Sequence, residues 1–299
     1  MTSTTVRLAR TRRPRSRRTV SRRRQLIGAA FAVPAIALFG AFAIYPMVRV
    51  FYISFFDYDL TSAPRWIGLH NYRYLLHSEE FHAALQATGF YLLFTYVPSV
   101  LLALLLALGL DTRLPGSGFI RLLYFAPVAM SWVAVSVIWR LVLQPDGLLN
   151  SVFGTHVNWL TSDNSAEWAL VITSIWKETG LFVILFLAGL QRIPTELREA
   201  AALDGAGSFG TFRYVVLPLL RPVTAVVCIM AVIRGCQSFS AQVVLTGGSF
   251  HTQVINLYVY KTAFESARMG RASAVAVLLF FALLMVTILQ LRIFRSRER

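Results

Sequence analysis

Apolar residues in this chain gather into long runs separated by short polar segments, and the runs are longer than the helices of a soluble core. Six cover residues 26–56, 84–110, 120–143, 167–190, 219–241 and 272–293. Each reaches the length of about 20 residues that a helix needs to cross the roughly 30 Å hydrocarbon layer. The pattern predicts an all-α integral membrane protein with six transmembrane helices. None of the runs shows the short alternating segments of a membrane β-barrel. The first run contains Gly40 and Pro46, so a kink or an extension beyond the bilayer is expected there. The second closes on LLALLLALGL and is the plainest. In the fifth, Arg234, Gln237, Ser238 and Gln242 dilute the far half.

Composition agrees: 56% of the 299 residues are hydrophobic and the mean hydropathy is +0.60. The net charge of +15 adds orientation. Placing the N-terminus inside puts twenty of the 29 Lys and Arg residues in inner segments. Those segments are the N-terminal tail, the stretch from Arg113 to Arg121, the segment from Arg192 to Arg221, and everything from Arg292 onward. Outer loops hold only Arg65, Arg73, Lys261, Arg268 and Arg271, so both termini are predicted on the cytoplasmic side. The chain then divides into a basic tail (residues 1–25), a six-helix domain (26–293) and a short C-terminal tail (294–299).

The tail RLARTRRPRSRRTVSRRRQ has the charge of a nucleic-acid arm, but an anchor on anionic lipid headgroups explains it without a further partner. It is expected to be largely disordered. SRRRQLIGAAF also faintly resembles a twin-arginine export signal. Against cleavage, the apolar run continues past AFA (residues 41–43) to Tyr52 and further spans follow.

Little conventional chemistry is visible. Cys228 and Cys236 fall eight residues apart on one predicted helix, about 12 Å along its axis, and cannot bridge. No histidines show paired metal-ligand spacing, and neither lysine sits in a phosphate-cradling GxxxxGK. The chain carries no ATPase site, and no acid–base or nucleophile cluster marks it as a membrane enzyme.

Charges inside the runs are the candidates for function. Lys177 and Glu178 lie 14 residues or so from the end of the fourth run at Gln191, and Arg234 reaches a similar depth in the fifth. An ionisable residue near mid-bilayer costs about 2.5 to 3.5 kcal/mol on insertion scales, so each needs water or a partner. Neighbours on a helix point about 100° apart, so Lys177 and Glu178 cannot both face one lumen. One of them is expected to line a path while the other meets a neighbouring helix or another subunit; one such arrangement pairs Glu178 with Arg234 and leaves Lys177 on the path. The alternative is a purely structural pair. Gln237, Ser238 and Gln242 are candidate solute contacts, and Trp139, Trp176 and Phe239 are candidate stacking surfaces.

Between the fourth and fifth runs, residues 194–218 keep charge, glycines and two prolines. PTELREAAALD predicts a short helix with Thr195 as its cap and Glu196 at its positive end. Gly205 and Gly207 then break the chain, and Ser208 is placed to cap a second helix, FGTFRYVV. Ala200, Ala201 and Ala202 leave a smooth surface open to another protein, with Arg198 and Glu199 placed to fix the register.

The spacing Glu199-Ala200-Ala201, Gly205, Val215, Leu217-Pro218 resembles the EAA signature of permease subunits in bacterial ABC importers. AGLQRIPTELREAA, LTGGS, YVYKTAF and MGRASAVAV are similar to the carbohydrate-uptake branch, and IYP, SFFDYD and WIGLHNY to the first of its two unlike permeases. The resemblance implies a coupling loop built from Glu199, Ala200, Ala201, Asp204, Gly205, Leu217 and Pro218, seated on a cytoplasmic ATPase dimer that holds ATP and Mg. It also implies a second permease, an extracytoplasmic solute-binding protein, no cofactor in this chain and a site in the bacterial inner membrane. The translocation path would involve Lys177, Glu178, Arg234, Gln237, Ser238 and Gln242, and the cargo would be a sugar or oligosaccharide. Glycerol-3-phosphate or another polar solute is the alternative cargo, and a secondary transporter or channel the alternative class.

Overall fold

The computed structural model describes residues 22–111 and 117–295. The basic tail up to residue 21, the segment 112–116 with Arg113, and residues 296–299 lie outside the described residues. The chain separates into two compact units at Arg49 and Val50. In the first, α1 (Arg22–Phe39) passes through a π-helical stretch, Gly40–Ile44, into α2 (Tyr45–Ile53), which ends in the second unit.

The second unit then makes a two-residue hairpin, Phe56–Asp57 against Arg65–Trp66, before α3 (His70–His77). Asn71, from the WIGLHNY stretch, is buried and donates from Nδ2 to the carbonyls of Ser54 and Phe56, both at 2.9 Å. It fastens the hairpin to the helix. Next come α4 (Glu79–Tyr91), α5 (Val97–Asp111), α6 (Ser117–Ala129), α7 (Trp132–Val142), α8 (Leu148–Phe153) and α9 (Asp163–Leu190). The loop region holds α10 (Thr195–Leu203), α11 (Ser208–Thr211) and α12 (Leu217–Leu219). The chain finishes with α13 (Arg221–Cys236), α14 (Ser240–Leu245), α15 (Ile255–Tyr260) and α16 (Met269–Arg295).

Proline shapes the long helices in a consistent way. Three π-helical stretches, Gly40–Ile44, Leu92–Tyr96 and Phe212–Val216, each stop two residues before a proline: Pro46, Pro98 and Pro218. Proline brings no N–H and its ring crowds the carbonyl four residues back, which in each case belongs to the π stretch. Opening the turn relieves the crowding without ending the helix. Glu79–Asp111 therefore runs through Pro98 as a single spanning element.

Among the described residues, four helical elements are long and apolar enough to cross a membrane: Phe31–Ile53, Glu79–Asp111, Ser165–Leu190 and Met269–Phe294. A fifth exists if Ser208–Leu219 and Arg221–Cys236, bent by 69°, count as one broken span. The predicted third run, 120–143, is not one helix. Pro127 lies in α6, the chain turns extended at Ser131, and the Ser131 Oγ accepts from the Ala134 amide at 3.2 Å to start α7 afresh. The predicted fifth run, 219–241, likewise stops early, at Cys236, with a break at 237–239 before α14.

The main core joins α5, α9 and α13. Ala103 and Ala107 let α5 approach Phe182, Phe186 and Leu190 of α9, while Leu220, Val227 and Ala231 close the third side. At Gly180 α6 comes so near that a Cβ would run into the Tyr124 carbonyl and the Val128 side chain. A second core gathers Leu75, Phe81, Ala84, Ile255, Tyr258, Ala274 and Val275 from α3, α4, α15 and α16. Leu101, Leu105, Phe281 and Met285 point outward, as residues facing lipid must.

Candidate functional site

Both interrupted helices meet at one cavity. It has a volume of about 210 Å³ and is lined by Tyr96, Trp132, Glu178, Arg234, Gln237, Ser238, Phe239 and Ser240. Trp132 is the first residue after the α6–α7 break, and 237–239 are the α13–α14 break, so residues at helix interruptions make up much of the lining.

Across it, Arg234 Nε donates to Glu178 Oε2 at 2.7 Å and Nη2 donates to Oε1 at 2.9 Å. The carboxylate is buried, at 1% side-chain exposure, whereas the arginine side chain keeps 38% and faces the cavity. A bidentate fork of this kind fixes the guanidinium plane and leaves its remaining N–H groups pointing elsewhere. Arg234 also occupies the last turn of α13, where unpaired carbonyls favour a positive charge.

Lys177 is placed differently from the expected path-lining role. It is buried, and its Nζ donates to the carbonyls of Pro127 at 2.7 Å and Met130 at 2.8 Å. Those carbonyls lie at the end of α6, where intrahelical donors run out. The ammonium also sits 5.2 Å from the centroid of the Trp132 ring. Lys177 thus caps the broken helix from α9 and stands behind Trp132, and the 100° offset from Glu178 is spent on structure.

Behind the cavity runs a buried polar relay. Tyr91 donates to Ser174 Oγ at 2.8 Å, and Ser238 Oγ lies 3.2 Å from the Tyr91 hydroxyl and 3.0 Å from Gln242 Oε1. One hydroxyl hydrogen serves those two neighbours in turn. Gln242 is fully buried; its Oε1 is the acceptor that ends the relay, its Nε2 has no partner, and it contributes no cavity surface.

Of the residues singled out from the sequence, Glu178, Arg234, Gln237, Ser238 and Phe239 come together at the cavity. Trp139 and Trp176 instead pack edge to face on each other, centroids 5.8 Å apart. Tyr96, Trp132 and Ser240 lie at the cavity without having been singled out. The signals of the first two were weak: Tyr96 precedes Pro98, and Trp132 follows the Pro127 and Ser131 interruption. Among the described residues no group of three His, Cys, Asp or Glu is placed to hold a metal ion.

The loop between α9 and α13 forms the second candidate region. Helix α10 starts with Pro194 at its N-cap and no side-chain cap, so Thr195 does not cap it, and Gly207 rather than Ser208 holds the cap position of α11. At the far end of α10, Gly205 N–H donates to the Ala202 carbonyl at 3.1 Å and Ala206 N–H to the Ala201 carbonyl at 2.9 Å. This is a Schellman closure, and it needs the left-handed φ of +82° that Gly205 adopts. Glu199, Ala200, Asp204 and Gly205 are exposed, Ala201, Leu217 and Pro218 partly so. Leu203, Phe209 and Tyr214 are exposed at 89%, 78% and 78%. Arg198, expected beside Glu199 on the outer surface, turns inward to Asp111.

Comparison with known proteins places these features. The family model for the inner membrane component of binding-protein-dependent transport systems matches residues 83–299. The trehalose/maltose transport system permease protein MalF of Thermococcus litoralis is 34% identical over 281 residues, covering 91% of this chain and 95% of that one. The multiple sugar-binding transport system permease protein MsmF of Streptococcus mutans is 33% identical over 281 residues, covering 91% and 96%. Among solved structures, a chain of a bacterial ABC transporter involved in the import of the acidic polysaccharide alginate shares the fold. Its TM-score is 0.79 at 24% identity over 93% of this chain and 98% of that chain. With well over half of its length matched, the chain belongs to the family of binding-protein-dependent transport system inner membrane components.

Proposed function

We propose that this chain is one of two unlike permease subunits in an ATP-driven importer, and that it translocates a sugar or oligosaccharide delivered by an extracytoplasmic binding protein. The observation that carries the reading is the loop 194–218. Large apolar side chains, Leu203 before a rigid turn at Gly205 and Phe209 and Tyr214 after it, stand exposed on the same segment as Glu199. A patch of this kind off the lipid-facing surface calls for a protein partner. That partner is a cytoplasmic ATPase subunit with its own ATP and Mg, and the chain itself hydrolyses nothing.

In this reading the chain crosses the membrane six times. The pair α6 and α7 forms a broken third span, and the bent α11–α13 segment forms the fifth. Both termini and the loop face the cytoplasm, following the Arg and Lys distribution. The solute passes the cavity at Glu178 and Arg234. Flat rings from Tyr96, Trp132 and Phe239 suit the faces of a sugar, while Gln237 and Ser238 suit its hydroxyls. An anion such as glycerol-3-phosphate suits the cavity less well, because the Arg234 charge is already met by Glu178. The relatives named for trehalose, maltose and multiple sugars point the same way.

The test is affinity purification of the tagged chain from membranes of its own cells. A second permease and an ATPase should co-purify in stoichiometric amount. Calorimetry on the associated binding protein, with neutral oligosaccharides set against glycerol-3-phosphate, then reports the cargo. A chain that purifies alone and transports without ATP refutes the importer.

A further inference from the structure

Arg198 sits on the loop helix α10 one position before the exposed Glu199, yet its side chain reaches away from the loop surface. Nη1 donates to Asp111 Oδ2 at 2.6 Å, and Nη2 donates to the Leu190 carbonyl at 3.3 Å. The arginine side chain is 30% exposed and the aspartate 14%. Asp111 is the last residue of α5 and Leu190 the last residue of α9. One guanidinium therefore joins the loop helix to two helix ends.

Local chemistry favours this arrangement. The closing carbonyls of a helix lack intrahelical donors and carry partial negative charge, so the ends of α5 and α9 attract a cation. The Leu190 carbonyl also accepts from the Ile193 amide at 3.1 Å, which leaves its second lone pair for Arg198. Lysine, with a single ammonium on a flexible stem, does not reproduce the planar fork that reaches both acceptors.

The two helices held by Arg198 already pack against each other in one core. Ala103, Ala107 and Leu110 of α5 are buried in one cluster with Phe182, Phe186 and Leu190 of α9. The opposite end of the loop is attached otherwise: it joins α13 through the 69° bend after Leu219. The loop thus has a fixed joint toward α5 and α9 and a bent joint toward α13. Glu178 lies on α9 and Arg234 on α13, so the cavity pair spans the two joints.

We propose that Arg198 is a positioning residue that fastens the loop helix to the ends of α5 and α9, so that displacement of the loop is delivered to the helix bearing Glu178. The proposal rests on the reading above that an ATPase partner drives the loop.

The experiment uses the assembled importer in membranes, with Cys228 and Cys236 replaced by Ala and Ser240→Cys as a reporter in the cavity wall. Maleimide labelling of the reporter is timed without nucleotide and with ATP plus vanadate. In the parent the rate should change about tenfold between the two states, within the usual range for coupled sites. Arg198→Ala and Asp111→Asn should each reduce that change below about twofold, and the double variant should lose no more than either alone. Throughout, the ATPase subunit should co-purify at the parent's level. Arg198→Lys should recover part of the change through Asp111. An Arg198→Ala importer that keeps the full nucleotide-dependent change overturns the proposal, as does one that loses the ATPase subunit, since Arg198 would then serve docking. Absence of an ATPase from the parent preparation removes the docking reading itself, and the proposal with it.

Discussion

Arg234 on α13 holds Glu178 on α9 through two hydrogen bonds, Nε to Oε2 at 2.7 Å and Nη2 to Oε1 at 2.9 Å. This is the only ion pair between those helices among the described residues, and it stands where both neighbouring helices are broken. Removing either partner leaves the other uncompensated, which for buried pairs costs about 3–5 kcal/mol, toward the low end here because the guanidinium keeps contact with the cavity. Glu178→Gln and Arg234→Gln should each lower the yield of detergent-extracted complex, and the double variant should recover it. Losses that add in the double variant would show that the two residues act on separate partners.

Lys177→Met tests the other intramembrane charge. The substitution withdraws the donor from the carbonyls of Pro127 and Met130, and hydrogen bonds to charged groups are worth about 1.5–3 kcal/mol each. The expected outcome is a lower thermal midpoint of the purified complex, accompanied by a changed fluorescence contribution from Trp132, measured against Trp132→Phe. An unchanged midpoint would mean that α6 keeps its break without help from α9.

These two neighbours show what the sequence could convey. Glu178 and Arg234 were legible because each is a charge inside an apolar run and their depths match. The partners of Lys177 are backbone carbonyls released by a break at 130–131, and hydropathy is blind to backbone. Residues 120–143 read as one apolar run because Pro127 and Ser131 barely alter its mean. The same blindness hid Trp132 from the cavity list. In the loop, the spacing of Glu199, Gly205 and Pro218 located the turn, since the Schellman closure has a sequence requirement. The inward course of Arg198 depended on Asp111, 87 residues earlier, and no local pattern encodes that.

Topology gives a third prediction. Ser208 is exposed at the start of α11, and Ser162 precedes α9 at its opposite end. With the native cysteines replaced, Ser208→Cys should react with an impermeant maleimide only in inverted vesicles, and Ser162→Cys only in intact cells. Labelling of position 208 in intact cells would exclude six spans with an inner N-terminus.

Gly205 is where the loop's shape and its proposed docking meet. Its φ of +82° is a conformation that costs a residue with a Cβ roughly 1–2 kcal/mol. No heavy atom lies within 4 Å of where a Cβ would stand, so that cost comes from the backbone alone and not from a clash. Gly205→Val, β-branched and poorly suited to positive φ, should open the closure of Ala201 and Ala202 on Ala206 and Gly205. Leu203, on one side of the turn, would then lose its fixed relation to Phe209 on the other. Gly205→Asn is the informative companion, because asparagine enters the left-handed region more readily than other residues with side chains. The Asn variant should keep most ATPase co-purification and nucleotide-driven uptake, while the Val variant should lose both and still insert at the parent's level. Equal losses in the two would assign the defect to the added side chain at the partner surface, and full activity in both would separate the turn from coupling.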